Sequence, residues 1–583
     1  MDQNLQKAYV SGVGRIAAWA DLLDNINVFP VADGDTGRNL IISLTPLRQL
    51  DNSRENVIRQ LLMSARGNSG NIAARFFSGF LTADSSDMLP DSARKGRDRA
   101  WQAVADPKPG TMLTVFDALA EILEVLPVSG LTTETLIEGD NKYVSAVTEH
   151  LENAVRSTAE TLPVLKNAGV VDSGALGMFL YLEIFFKSLA GNTEAFRPVA
   201  AIFKDRLRIS SSFTKKMERG YCVDTVIRSG DSSEETIKKL SEYESVVVIA
   251  DKGCLKVHLH AADKEEARKR IESLGDVVRW SEDHLGSQTE NFSGQKASVA
   301  VHIMTDAAGS VTRKDSRQLG ITLLDSYIIA GDRSLPETLF TPSELYQSMR
   351  DGVKVSTSQA SLFERHQYYQ CILDQYENAL YLCVGSAFTK NYDVVINWKQ
   401  KNDPDNHLSV IDTGAASGRL GVIAIATARY SCQTGDTDAV IKYAKRAIDK
   451  CEEYLFPDRL QYLAAGGRLS KTGAFFGDML HIKPVVSPTP EGAKKVGVVR
   501  NQDEQVRFAI QRLETSLEKD SAPFIMLEYS DNRAWVDDMV RKEMETHYPF
   551  ANILVQPLSL TSGVHLGPGS WGMAFLPAEG PGS

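Results

Sequence analysis

Two aspartates stand one residue apart among glycines in the stretch INVFPVADGDTGRNL, residues 26–40. Carboxylates this close repel unless a cation holds them. Asp33 and Asp35 can converge on a hard ion such as Mg²⁺, which prefers oxygen ligands and also binds substrate phosphates. Gly34 and Gly37 let the backbone pass close to a ligand, and Thr36 and Asn39 can donate to phosphate oxygens. A calcium EF-hand loop starting at Asp33 needs an oxygen ligand at its fifth position and glutamate at its twelfth, where Gly37 and Leu44 stand. A phosphatase-type DxDxT needs threonine where Gly37 sits. What remains is a metal–phosphate loop or an ordinary turn rich in Asp and Gly.

Three further glycine joints bear on that choice. SARGNSGN (64–71) supplies Gly67, Ser69 and Gly70, whose backbone and hydroxyl groups can cradle phosphate. KPGTML (108–113) and NAGVVDSGALG (167–177) are two more turns that enter helices. No Walker-type GxxxxGK[ST] occurs, so a nucleotide site here is of another kind. The joints separate segments with apolar residues at helical spacing, among them YVSGVGRIAAWADLL, TMLTVFDALAEILEVL and ALGMFLYLEIFFKSLA. Residues 1–205 therefore read as a helical bundle with a polar site at its rim, where several helix N-termini can point at one anion.

From 206 to 293 the pattern alternates, as in YCVDTVIRSG and SVVVIADKGCLKVHLHAAD, and reads as a small α+β domain. His258 and His260 sit at i and i+2 on a strand, so their imidazoles share a face. With Cys222 they form a zinc set lacking one ligand. Alternatively the histidines lie at the surface and Cys222 is a buried small hydrophobe. Residues 296–583 alternate short apolar strands with amphipathic helices, which reads as α/β with helices flanking a largely parallel sheet. Polar clusters stand at the strand ends, where such sheets bind ligands: TDAAGS, STSQAS with Thr357 and Ser358, GSAFTKNY with Ser386, AGGRLSK with Gly467 and Arg468, and HLGPGSWG with His565. Hydroxyls, an arginine and a histidine suit holding an anion better than attacking a bond.

The composition narrows the function class. A chain of 583 residues with 43% hydrophobic and 24% charged residues is an ordinary globular protein of several domains. Its net charge of -11 argues against nucleic acid. No apolar run approaches the roughly 20 residues that span a bilayer, and the N-terminus has no signal-peptide core. Six scattered cysteines without a CxxC pair suit a reducing cytoplasm.

NVFPVADGDTGRNL, ARGNSGNI, GTMLTV and AGVVDSGALG together resemble the nucleotide-binding domain of the dihydroxyacetone-kinase superfamily, in the version found in bacterial fatty acid kinases. The resemblance implies an all-α helical barrel that binds ATP with Mg²⁺ on Asp33 and Asp35. It places Thr36, Asn39, Gly67, Asn68, Ser69, Gly70, Gly110, Thr111, Met112, Asp172 and Gly174 at the nucleotide. Ala32 replaces a usual proline, and Arg38 and Asn71 replace smaller or apolar residues; Arg38 is expected at the surface. GYCVD…KVHLHAAD looks like the middle domain of the same kinases, which implies Zn²⁺ at Cys222, His258 and His260 and a homodimer.

The C-terminal clusters resemble the DegV family of fatty-acid-binding proteins. Carried over, Thr357, Ser358 and Ser386 hold the fatty-acid carboxylate, with Gly467, Arg468 and His565 near the phosphate. GSAFTKNY departs from the family's S-x-LSGTY, and TDAAGS lacks its serines. The whole resembles a kinase fused to its acyl carrier. It implies transfer of the ATP γ-phosphate to a long-chain fatty acid, giving acyl phosphate for a membrane acyltransferase in phospholipid synthesis. Transient contact with the inner face of the membrane follows. The alternatives are a kinase for a small hydroxyl acceptor and a non-catalytic lipid-binding or regulatory protein.

Overall fold

The computed structural model describes residues 1–50, 53–126, 142–192, 196–214, 220–285, 300–465 and 483–578. They fall into two units, Met1–Gln295 and Lys296–Ser583.

The first unit begins with eight principal helices: α1 (Gln3–Asn25), α2 (Thr36–Leu44), α3 (Arg54–Ser64), α4 (Gly67–Phe80), α5 (Leu89–Ala103), α6 (Met112–Val125), α7 (Lys142–Thr161) and α8 (Ser173–Leu189). All but α3 close a ring in the order α1, α2, α4, α5, α6, α7, α8 and back to α1. This is the helical barrel expected for the region. The helices α1 and α8 are buried along most of their length, which suits the nearly unbroken apolar sequence of α8 and the apolar and small residues that fill most of α1 after Lys7. Between them Arg15 and Glu183, both about 1% exposed, form an ion pair of 2.7 Å. Phe76 of α4 stacks on Phe116 of α6 with ring centroids 3.9 Å apart.

Glycines set the closest approaches in the ring. A Cβ at position 37 would lie 2.2 Å from the Ala20 carbonyl oxygen, and one at position 70 would lie 2.1 Å from Ser43 Oγ. So Gly37 seats α2 on α1, and Gly70 seats α4 on α2.

The same unit continues into a four-stranded antiparallel sheet of β1 (Tyr221–Arg228), β2 (Glu244–Asp251), β3 (Cys254–Ala261) and β4 (Asp276–His284), in the order β2-β3-β1-β4. Helix α9 (Ser233–Lys239) starts at a capping box of Ser232 and Glu235, and α10 (Lys264–Glu272) is capped by Asp263. The sheet docks on the ring where Ala105 N–H donates to the Val246 carbonyl at 3.0 Å.

Among the described residues the second unit has three sheets. β5 (His302–Asp306), β6 (Ile321–Leu324), β10 (Ala379–Cys383) and β11 (Leu408–Asp412) form a parallel sheet ordered β11-β10-β5-β6. β7 (Tyr327–Ala330), β8 (Arg333–Pro336) and β9 (Val355–Ser358) form an antiparallel one, ordered β8-β7-β9. β12 (Glu452–Phe456), β13 (Lys483–Thr489), β14 (Gly492–Val499), β15 (Phe524–Tyr529), β16 (Asn552–Pro557) and β17 (Trp571–Leu576) form the third, ordered β14-β13-β12-β17-β15-β16. Helix α11 (Leu362–Gln375) carries a buried arginine, and α12 (Ser417–Ser431) packs against both larger sheets.

The expectation of a largely parallel sheet holds only for the first of these. In the third, β15 and β16 alone run parallel. Two residues join β13 to β14, a link that permits only a hairpin.

The packing at Gly37 is testable. Gly37→Ala forces a backbone clash, so it is expected to cost about 1–3 kcal/mol and to lower the thermal midpoint of the helical unit followed by circular dichroism. An unchanged midpoint would mean that α1 and α2 can separate freely.

Candidate functional site

A cavity of about 490 Å³ opens at one end of the helical ring, within the range of small-molecule sites. Asp33, Asp35, Thr36, Asn68, Ser69, Thr111, Met112, Asp172 and Gly174 line it. The four glycine joints, far apart in sequence, thus meet around one space. Four residues expected at the nucleotide also have structural roles within the protein. Gly67 and Gly110 adopt left-handed φ of 62° and 84° and are tightly packed. Gly70 seats a helix, and the Asn39 side chain bonds the Asp35 carboxylate.

Each helix N-terminus at the cavity already has an anion, and that anion is protein. Asp24 Oδ1 accepts from Gly37 N–H (2.8 Å) and Arg38 N–H (3.3 Å) at the start of α2. Asp172 accepts from Ala175 N–H at 2.7 Å and is also bonded by Gly174 and Met112 N–H, so it serves α8 and α6 together. Asp224, from strand β1, accepts from Gly67 N–H at 3.0 Å at the start of α4. At each of these starts a carboxylate takes part of the donor capacity that helix N-termini otherwise leave free.

The acidic loop is therefore in a negative environment. Asp33 is buried, and Asn27 Nδ2 donates to its Oδ1 at 2.6 Å. Burial, and then the Asp35 charge, push Asp33 well above the usual carboxylate range. Burial raises Asp35 as well, with Arg38 opposing. Burial takes Asp172 up to about 7 against its N–H donors. Uncompensated buried carboxylates of this kind are what a cation neutralises. Arg38, expected at the surface, is half-buried: Nε donates to Asp24 Oδ2 (3.0 Å) and Nη2 to the Gly34 carbonyl (2.7 Å). It braces the loop from behind, because its side chain can reach both Asp24 and the backbone of the turn.

The middle sheet walls the cavity with Tyr243, Ser245, Val246 and His260. In the β1–β3 register Cys222 faces His260 and Asp224 faces His258, which makes a two-by-two block. The ligand atoms of Cys222, His258 and His260 all lie within 4.8 Å of one another, and all three residues are buried. The reading of surface histidines is corrected by that burial. His258 Nε2 and His260 Nδ1 are buried without hydrogen-bond partners. Burial, with His258 nearby, holds His260 at about 3, so its ring is neutral. One thiol and two imidazoles in reach of one point, with orphaned ring nitrogens, fit the Cys/His ligand types of zinc.

In the second unit the polar clusters are tied by one buried carboxylate. Asp306 accepts from Arg365 Nη1 (3.0 Å), Tyr381 OH (3.0 Å), Val384 N–H (2.9 Å) and Asn391 Nδ2 (2.7 Å). Arg365 Nη2 also donates to Gln359 Oε1 at 3.1 Å. The segments TDAAGS, STSQAS and GSAFTKNY are thereby held together. Ser386 is exposed, and its N–H donates to Asp412 Oδ1 at 3.2 Å. Thr357 is half-buried and Ser358 exposed on β9, against which the helix bearing His565 packs. Gly467 and Arg468 lie outside the described residues.

Comparison with known proteins agrees with this division. Residues 30–187 match the DAK2 domain, 218–292 the middle domain of fatty-acid-kinase-like proteins, and 300–578 the uncharacterised proteins of the DegV family. The chain joins a DAK2 domain and a fatty-acid-kinase-type middle domain to a DegV domain. Protein YloV of Bacillus subtilis is 31% identical over 319 residues, covering 50% of this chain and 56% of that one. An uncharacterized protein of Staphylococcus aureus strain USA300 is 32% identical over 362 residues, covering 56% of this chain and 64% of its own length. The matches thus span about six-tenths of these relatives. Among solved structures, a fatty-acid-binding DegV family protein from Thermus thermophilus is similar to 48% of this chain, with 99% of its own length covered, 20% identity and a TM-score of 0.45. DegV of Bacillus subtilis, a fatty acid binding protein, has 17% identity, the same share of this chain, 100% of its own and a TM-score of 0.44. No described helix is long and apolar enough to cross a membrane.

Motif reading passes over Asp24, Asn27 and Asp224 in the DAK2 and middle domains, and over Arg365 in the DegV domain. Asp224 carries the same signal as His258 and His260, since it stands at i+2 from Cys222 on one strand. Asp24 and Arg365 lie inside helices and carry no local signal.

The DegV domain also holds a smaller cavity, about 150 Å³, lined in part by Ser310, Arg313, Glu337 and Ser559. Glu337 is 3% exposed; its Oε2 accepts from Thr561 N–H at 2.9 Å and its Oε1 has no partner. Burial, then the charge of Asp325, raise it from 4.5 to about 8. The folded state holds this proton more tightly than the unfolded chain, so the group's contribution to stability falls as pH rises from 4.5 to about 8. Glu337→Gln is expected to leave stability near pH 4.5 unchanged, and to gain about 1–3 kcal/mol above pH 8. Thermal unfolding across that range checks this, and equal effects at both ends would contradict the burial argument.

Proposed function

We propose that the chain is an ATP-dependent fatty acid kinase that transfers the γ-phosphate to a long-chain fatty-acid carboxylate, giving acyl phosphate. The observation that carries the nucleotide half is the acid-lined cavity. A protein carboxylate stands at every helix start around it, so a polyphosphate would enter an already acidic space and bring cations with it. The DAK2 and middle-domain matches support the reading of that polyphosphate as ATP and of the acceptor as a fatty acid.

Asp33 and Asp35 would hold Mg²⁺, which supplies charge neutralisation for the triphosphate when bound. The protein groups do the rest. Arg38 and Asp24 fix the acidic turn, Asn27 orients Asp33, and Thr36, Ser69 and Thr111 offer hydroxyls to phosphate oxygens. The acceptor, with an ordinary pKa of about 4–5, is ionised at neutral pH, so the site needs no general base. Its task is to position reactants and cancel charge. In the DegV domain, Thr357, Ser358 and Ser386 with His565 are the residues proposed to hold the acyl carboxylate, together with Gly467 and Arg468. Cys222, His258 and His260 would hold Zn²⁺. An acyltransferase as recipient of the product, contact with the membrane surface and a homodimer complete the reading.

The test incubates the purified chain with Mg-ATP and long-chain fatty acids, and traps acyl phosphate with hydroxylamine. Fatty-acid-dependent hydroxamate is expected. Asp33→Ala and Asp35→Ala should each lower it about 100-fold or more, the scale of removing charge stabilisation from a transfer step. Folded protein that retains lipid yet forms no hydroxamate would favour a carrier or regulator.

A further inference from the structure

Asp224 belongs to the middle domain, yet most of its hydrogen-bonding capacity is spent on the DAK2 domain. Its Oδ2 accepts from Gly67 N–H at 3.0 Å, and its Oδ1 accepts from Asn71 Nδ2 at 3.2 Å. The same Oδ2 lies 3.4 Å from His258 Nδ1, and Oδ1 lies 3.8 Å from Lys256 Nζ. Lys256 in turn donates to the Ala65 carbonyl, so the strand pair β1–β3 grips the residues just before α4 as well as its first N–H. Asp224 thus has four partners.

Two of those partners begin the turn that presents Asn68 and Ser69 to the large cavity. A third is a member of the Cys222–His258–His260 cluster. A carboxylate behind a histidine fixes the ring's orientation and so the donor it offers a metal. One that caps a helix fixes the start of that helix. Asp224 does both with one side chain, and neither state of the cluster can change without acting on α4.

We propose that Asp224 is a positioning residue that couples metal occupancy of the Cys222–His258–His260 cluster to nucleotide binding at the acidic cavity. The inference rests on the nucleotide and zinc readings given above. With a metal on the cluster the His258 ring is held, Asp224 keeps its geometry, and α4 starts where Asn68 and Ser69 meet the nucleotide. Without it the ring is free to turn, and the cap on Gly67 and Asn71 loosens. Asn71, which stands where the related kinases have a smaller or apolar residue, gives this chain an additional tie to Asp224. Coupling of this kind is reciprocal: nucleotide must tighten the metal by the factor by which metal tightens the nucleotide.

The experiment measures the Kd of MgADP by calorimetry on the full chain, zinc-loaded and after stripping with a zinc-selective chelator, with zinc content read by elemental analysis. In the wild type, stripping is expected to raise Kd about fivefold or more. In Asp224→Asn the ratio of the two Kd values should collapse to about one while MgADP still binds, and zinc should leave the variant more readily. Asn71→Val keeps every metal ligand and Asp224 itself, and should give a ratio smaller than the wild type's. A wild-type Kd that does not change on stripping, or a full ratio retained in Asp224→Asn, overturns the coupling and leaves the nucleotide reading standing. If Asp224→Asn does not fold, Asn71→Val decides: an unchanged ratio overturns the proposal. No MgADP binding to the wild type under either condition overturns the nucleotide reading and the coupling with it.

Discussion

Everything at the large cavity follows from one constraint, which is that helix starts leave backbone N–H groups without partners and something anionic must meet them. In many phosphate sites the ligand does so. In this chain Asp24, Asp172 and Asp224 do it instead, each from a different element. The helices are thereby fixed before any ligand arrives, and the cost is a concentration of negative charge around Asp33 and Asp35. Arg38 relieves part of that charge from behind the turn. The remainder is what Mg²⁺ would neutralise in the function proposed above, together with the charge of the proposed nucleotide.

The ring of helices and the four glycine joints were legible because both depend on local pattern. Apolar residues recur at helical spacing, and Gly34, Gly67, Gly110 and Gly169 all take left-handed φ that glycine permits. What each glycine does was less legible. Gly70 and Gly37 stand in motifs that read as phosphate loops, yet the atoms a Cβ would strike are Ser43 Oγ and the Ala20 carbonyl. Close helix packing and close ligand approach demand the same residue, and a sequence does not distinguish them. Arg38 reads as a surface residue for a related reason. Its partners, Asp24 and the Gly34 carbonyl, become neighbours only once α1 and α2 pack.

In the DegV domain the parallel sheet was readable from its buried apolar strands, and the mostly antiparallel sheet was not. A buried strand looks apolar on both faces in either arrangement, so direction comes from connections. β17 settles it at the end of the chain by inserting between β12 and β15, antiparallel to both. The interior of this sheet carries a second surprise. Glu453 and Glu528 are buried side by side at the start of α12, where Gly418 N–H donates to Glu453 at 2.8 Å and Ser417 Oγ to Glu528 at 3.0 Å. Burial and the adjacent Glu528 push Glu453 well above the usual carboxylate range. As at the cavity of the first unit, a helix start is met by protein acid.

Asp306 carries that device furthest and accounts for the altered loop of the DegV domain. The family's S-x-LSGTY is replaced by GSAFTKNY, a change that by itself would free the segment after β10. Asn391 sits at the end of that sequence and donates to Asp306, while Val384 N–H donates to the same carboxylate from its beginning. The loop is held at both ends by one buried anion, whose charge Arg365 balances. Because Arg365 also holds Gln359, the turn with Thr357 and Ser358 is pinned by the same pair. The hydroxyls proposed to meet an acyl carboxylate can then keep their positions despite the loss of the usual serine and glycine, since their placement depends on the Asp306 network rather than on the loop's own backbone. In that network Asp306 accepts from four donors on four separate segments, which ties the loop to the sheet. Departures from a family motif are thus tolerable where a buried carboxylate, and not the motif's backbone, sets the geometry.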